Sequence, residues 1–137
     1  MRRVLHVGPF NTPGGMAKVI ETLSQNPPNG WNTDILDSHS KGNVLSKLLA
    51  WRKAQTYLKN HAGEFDIIHI HSAAGWSYKR KLSLARIAIK QKTQVVFHIH
   101  SGQFDQFAEQ RKNIRDELQS VNVVVLSNYW QERLQPV

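Results

Sequence analysis

Asp66-Ile67-Ile68-His69-Ile70-His71 is followed by the loop Ser72-Ala73-Ala74-Gly75, a helix-periodic segment at about 76–90, and Gln94-Val95-Val96-Phe97-His98-Ile99-His100. A short β-type run, a helix and a second β-type run make a βαβ unit, whose strands lie parallel and whose crossover is right-handed. The same alternation extends outward. Upstream, residues 4–7 form a compact apolar run that ends at Gly8-Pro9. Residues 16–24 carry Met16, Val19, Ile20 and Leu23 at helical spacing, and Asn26-Pro27-Pro28-Asn29-Gly30 must end that helix. Residues 33–36 read as a strand and residues 44–61 as a long helix, with Leu45, Leu48, Leu49, Trp51 and Leu58 as its apolar positions. Downstream, Ser101-Gly102 turns the chain into a helix over 105–120, with Asp105 near its start. A nearly all-valine strand over 121–126 follows, and Ser127 or Asn128 caps a last helix reaching about Leu134.

This order predicts an α/β protein: an open, doubly wound, Rossmann-like parallel sheet of about five or six strands with helices on both faces, in one domain over 1–137. The strands are continuously apolar, which predicts burial on both faces. A closed eight-fold barrel needs roughly 200 residues or more and is excluded by length. Ligands of open parallel sheets bind beyond the carboxyl ends of the strands. Those ends are the loops after Gly8, Asp37, His71, His100 and Ser127, four of them unusually polar or glycine-rich.

Lysine and arginine number 18 against 10 aspartates and glutamates, a net charge of +8 with the seven histidines neutral. Such a surplus suits an anionic partner: nucleotide phosphates, a lipid surface or nucleic acid. The absence of cysteine excludes disulfides, thiolate zinc sites and a cysteine nucleophile. No apolar run approaches the roughly 20 residues of a membrane span, and the apolar stretch after Arg2-Arg3 is far too short for a signal peptide. A soluble, cytoplasmic protein is expected.

Three constellations carry chemistry. The loop Gly8-Pro9-Phe10-Asn11-Thr12-Pro13-Gly14-Gly15-Met16-Ala17-Lys18 leads into a helix N-terminus. Unpaired N–H groups and the helix dipole favour an anion there, and Gly14-Gly15 admits a phosphate or diphosphate close to the backbone. The spacing is neither a Walker A sequence nor a dinucleotide fingerprint. The second is the pair His69-Ile70-His71 and His98-Ile99-His100, in which each pair shares one strand face. A divalent metal is one reading, but only Asp105 stands near as an acidic partner, so no metal ligand is assigned. His69 and His98 read as structural, His71 and His100 as the members nearest solvent, and His100 as the ring at the cleft edge. The third is basic and aromatic: Lys47, Arg52, Lys53 and Lys59 around Trp51 and Tyr57, then Lys79, Arg80, Lys81, Arg86, Lys90 and Lys92 near Trp76 and Tyr78. Such helices suit an anionic membrane surface, whereas no helix-turn-helix, RNP-type or zinc-finger pattern supports nucleic acid.

Residues 4–20 with the Gly14-Gly15 step, Phe65-Asp66-Ile67-Ile68-His69-Ile70-His71-Ser72, Val95-Val96-Phe97-His98-Ile99-His100-Ser101-Gly102, and Val123-Val124-Val125-Leu126-Ser127 with Trp130-Gln131-Glu132-Arg133-Leu134 together resemble the N-terminal half of glycosyltransferase family 4. The matches run in order over nearly the whole chain. The resemblance implies a two-domain B-type fold that transfers a sugar from a nucleotide-sugar to an acceptor, usually with retention and without a metal. It implies that Gly14 and Gly15 approach the donor diphosphate from the acceptor side. His100 would touch and orient the transferred sugar, so it is the catalytic candidate. Asn11, Thr12, Lys18, Ser72, Ser101, Gly102 and Ser127 would line the acceptor side. No cofactor is implied beyond the nucleotide-sugar substrate. Many relatives act on lipid-linked acceptors, which favours docking at the inner membrane face. The family's donor-binding half has no counterpart in these residues, and Leu134-Gln135-Pro136-Val137 falls where a crossing toward it would begin. The chain is therefore expected to be the acceptor half alone, without turnover by itself. The alternative is a small phosphate- or nucleotide-binding module without catalysis, and a histidine-dependent metal hydrolase is a third reading.

Overall fold

Trp31–Asp37 pairs along its whole length with Arg2–Gly8, both parallel and in unshifted register from Arg2 opposite Trp31 to Gly8 opposite Asp37. These are β2 and β1. In this computed structural model, which describes residues 1–135, they join β3 (Ile67–Ser72), β4 (Gln94–Ile99) and β5 (Asn122–Val124) in one parallel sheet of order β2-β1-β3-β4-β5. The helices are α1 (Gly15–Gln25), α2 (Val44–His61), α3 (Trp76–Lys90), α4 (Phe104–Glu109), α5 (Ile114–Leu118) and α6 (Asn128–Leu134). A single 3-10 turn, Ala62–Glu64, follows α2. Of Leu134-Gln135-Pro136-Val137, where the crossing was expected to begin, the last two lie outside the described residues.

Local signals explain the long helices. The Asn43 side chain accepts a hydrogen bond from the Ser46 N–H at 2.9 Å, an N-cap that fixes the start of α2. Lys59 and His61 sit in its last turn, where the helix dipole favours cations. Gly75, which precedes α3, has φ +69°, a conformation a side chain would strain.

The two faces of the sheet differ. Leu5, Val7, Ile68, Ile70, Val95, Phe97 and Ile99 are buried in one apolar cluster with Ala54 and Leu58 of α2 and Tyr78, Leu82, Ala85 and Ala88 of α3. Trp51 ties the two helices together, its Nε1 donating to Ser83 Oγ at 2.8 Å. The alternate positions, His6, His69, His71, His98 and His100, put imidazoles on the opposite face. The expectation of strands apolar on both faces is corrected: Ile67, His69, Val96 and His98 on that face are only half-buried. Ile20 of α1 reaches this face, and a β-carbon on Gly8 would stand 2.7 Å from its Cδ1 and 3.2 Å from His71 Cβ.

Two further expectations change. The single helix over 105–120 is broken into α4 and α5. Phe104, Ala108 and Ile114 are all buried, yet at roughly 100° per residue Ile114 would point away from Ala108 in an unbroken helix. The turn between them restores its phase. Of the apolar positions assigned to α2, only Leu58 is fully buried; Leu45 is 61% and Leu49 57% exposed, and Ala54 takes the second core position.

Candidate functional site

The strand order reverses between β1 and β3, the switch point where open parallel sheets bind ligands beyond their carboxyl ends. The loop from β1 to α1, the end of β3 and the end of β4 converge on this edge. Asp37, at the end of β2, holds the first loop. Its carboxylate accepts hydrogen bonds from the N–H groups of Phe10 at 3.3 Å, Asn11 at 3.1 Å and His39 at 3.1 Å. A strand-end acid facing a polar loop is the signal that could have singled out Asp37, which sequence reading passed over.

Gly14 and Gly15 open α1 at this edge, and a β-carbon on either would meet nothing within 4 Å. Packing therefore does not require glycine at either position, in contrast to Gly8. Lys18 does not reach inward: its Nζ donates to Glu21 Oε2 at 2.7 Å on the exposed flank of α1. Asn11 is exposed and Thr12 half-buried.

Five imidazoles form a staggered row across β1, β3 and β4. His6 lies opposite His69 and His71 opposite His98 in the strand register, while the ring nitrogens meet on the diagonals. His6 Nδ1 is 3.3 Å from His71 Nε2, His71 Nδ1 is 3.0 Å from His100 Nε2, and His69 Nε2 is 3.1 Å from His98 Nδ1. His69 and His71 stack at 4.3 Å between centroids, as do His98 and His100 at 4.1 Å. The expectation that His71 lies near solvent is corrected: it is fully buried, enclosed beside Gly8 and Ile20, while His98 and His100 keep partial exposure. His6 was missed, since it stands alone in its strand and only the register brings it beside His69.

Burial lowers the affinity of all five rings for protons. Burial and then His98 bring His6 and His100 down to about 4. Burial and then His6 bring His69 to about 3. His71 is lowered most, by burial and then His69, and His98 by burial. The row is neutral at neutral pH.

The remaining assigned residues divide. Ser72 is buried, and its hydroxyl donates to the Ala73 carbonyl at 2.9 Å. Ser101 Oγ accepts from the Gln103 N–H at 3.2 Å, and Gly102 is exposed near Trp130. Ser127 is the N-cap residue of α6, without a side-chain capping bond, on the wall of a groove of about 560 Å³ with Ile99, Phe104 and Val125. Asp105, the acid considered beside the histidines, is buried and paired to Arg133 of α6 through Nε at 2.7 Å and through Nη2. That ion pair holds its carboxyl below the usual range.

Beside the loop after β2 lies a basic corner. Lys81 is buried, and burial, then Arg80, pull its ammonium down to about 8 against the opposing pull of Asp37. Burial, then Arg80, Lys81 and Lys47, lower His39. Next to it, Val44, Lys47, Leu48, Trp51, Trp76, Lys79 and Arg80 line a mostly apolar groove of about 450 Å³. Trp76 is 76% exposed, with Lys79 Nζ 4.7 Å from its ring centroid.

No protein-family model matches the chain, and a search of curated proteins finds no match either. No helix among the described residues is long and apolar enough to cross a membrane.

Proposed function

We propose that the chain is the acceptor-binding half of a retaining glycosyltransferase, which moves a sugar from a nucleotide-sugar to a glycan or lipid-linked acceptor in surface polysaccharide or glycolipid synthesis. One observation carries this reading: at the β1/β3 switch point an unobstructed Gly14-Gly15 helix start shares an edge with a neutral imidazole row ending at His100. The helix start offers N–H groups and a positive dipole end to a diphosphate. An imidazole held at about 4 is uncharged in neutral solution, so it can donate to or accept from a sugar hydroxyl without adding fixed charge. Asn11, Thr12 and Ser101 lie on the loops around that edge, whereas Ser72 is buried and its carbonyl accepts from the His100 N–H at 2.8 Å.

The acceptor would arrive from a membrane surface. Exposed Val44, Leu45, Leu48 and Trp76 beside Lys47, Lys79 and Arg80 combine apolar insertion with attraction to anionic headgroups. In this reading the donor-binding half lies outside these residues, and the chain alone does not turn over, because transfer requires both substrates positioned in one cleft. A phosphate-binding module without catalysis is the second reading, and the open space at Gly14 and Gly15 supports it equally.

The test is an NMR titration of residues 1–137 with a nucleoside diphosphate, then with anionic vesicles. Shifts at Gly14, Gly15 and His100 with the diphosphate, and at α2 and α3 with vesicles, are expected. A diphosphate response alone favours the binding module. No response to either overturns both readings. In an enzyme carrying both halves, His100→Ala should reduce turnover strongly with the fold intact, and near-normal turnover removes the role given to His100.

A further inference from the structure

The imidazole row holds more donors than a sugar contact needs. His71, His98 and His100 each offer a ring nitrogen, and these three atoms lie within 4.8 Å of one another. His6, His69 and His71 form a second such trio, sharing His71. Zinc–imidazole bonds of 2.0–2.1 Å place tetrahedral ligand atoms about 3.3 Å apart. The His71–His100 contact, at 3.0 Å, needs to open by a few tenths of an ångström, while the wider separations of the trio, up to 4.8 Å, close by rotation of the stacked His98 and His100 rings. Four of the rings stand on paired strands, and His100, one residue past β4, is held by its N–H donating to the Ser72 carbonyl at 2.8 Å, so the backbone spacing of the row is fixed.

We propose that His71, His98 and His100 bind one divalent transition-metal ion of the zinc type, with a fourth position open to water. Access selects this trio over its neighbour. His98 and His100 are partly exposed at the carboxyl edge, whereas His6 and His71 of the other trio are both enclosed. Donor chemistry selects the metal. Three imidazoles without a carboxylate suit zinc, copper or nickel and do not suit magnesium or calcium, which require oxygen ligands. The inference rests on the geometry, exposure and donor chemistry of the rings and not on the glycosyl-transfer reading.

The experiment is equilibrium dialysis of residues 1–137 against zinc chloride, with magnesium chloride in parallel and with ring-nitrogen NMR of the unmodified chain. One zinc per chain, no retained magnesium, and shifts at His71, His98 and His100 are expected. His98→Ala and His100→Ala, at partly exposed positions, should each weaken zinc binding by more than about tenfold. His39→Ala and His61→Ala, away from the row, should leave it unchanged. Failure to bind zinc overturns the site, as does binding that survives both His98→Ala and His100→Ala or that is lost with His39 or His61. Shifts confined to His6 and His69 also overturn it. Because the readout involves no sugar or nucleotide, its failure leaves the diphosphate response to be judged separately.

Discussion

Gly8 and Gly15 flank one loop for opposite reasons. A β-carbon on Gly8 collides with Ile20, so packing selects glycine there, while around Gly15 there is open space. Gly15→Ala should therefore fold normally, and the gain in helix propensity should stabilise the protein by up to about 1 kcal/mol. If the absent side chain serves ligand approach, diphosphate binding should weaken in the same variant. Thermal unfolding and the NMR titration separate the two effects. The buried imidazoles make a second prediction. Their proton affinities in the folded state, about 4 for His6 and His100 and about 3 for His69, lie below the ordinary 6.5. The unfolded chain then binds more protons as pH falls, so stability is fully present above pH 6.5 and drains away as pH drops toward 4. Denaturant unfolding across that range in the presence of a chelator checks this; a flat profile would contradict the burial of the row. Lys81 shifts in the same direction for the same reason, since burial, then Arg80, disfavours its charged ammonium. Replacing it with methionine keeps the volume and removes the desolvated charge, so Lys81→Met should raise the unfolding midpoint.

Elements bounded by breakers and helical spacing were legible in advance: Asn26-Pro27-Pro28-Asn29-Gly30 ends α1, and the bounds of α2 and α3 fall where the residues placed them. The break between α4 and α5 was not, because 105–120 holds no proline or glycine to signal the turn that leaves Ile114 buried on the core. Ile114→Ala should cost about 2–5 kcal/mol in denaturant unfolding, as expected for a buried aliphatic side chain. The exposed start of α2 was likewise misread. Leucines at 45, 48 and 49 have core composition, yet the structure leaves all three exposed. Trp76→Ser should reduce binding to anionic vesicles severalfold while leaving the unfolding midpoint unchanged, since its side chain packs little protein. Sedimentation with vesicles of defined anionic content measures it.

At the scale of the molecule, strand count and parallel pairing followed from the alternation of short apolar runs and periodic segments. The site was legible only in part. Two His-x-His runs revealed two columns of imidazoles, but the third strand contributes a single His6, visible only through long-range register. The diagonal contacts follow from that register, and they give the sheet a further property. His71 is neutral and has one ring proton to share between two neighbours, His6 on one side and His100 on the other. If that proton points to His100, His6 must supply the other contact through its own Nδ1–H; if it points to His6, His100 must donate. The row therefore has two tautomeric states in which the His6, His71 and His100 rings switch together. Any group that meets the outer nitrogen of His100 as a donor selects one state, and any group that meets it as an acceptor selects the other. The choice is written two strands away on His6, a buried reporter of what has arrived at the rim.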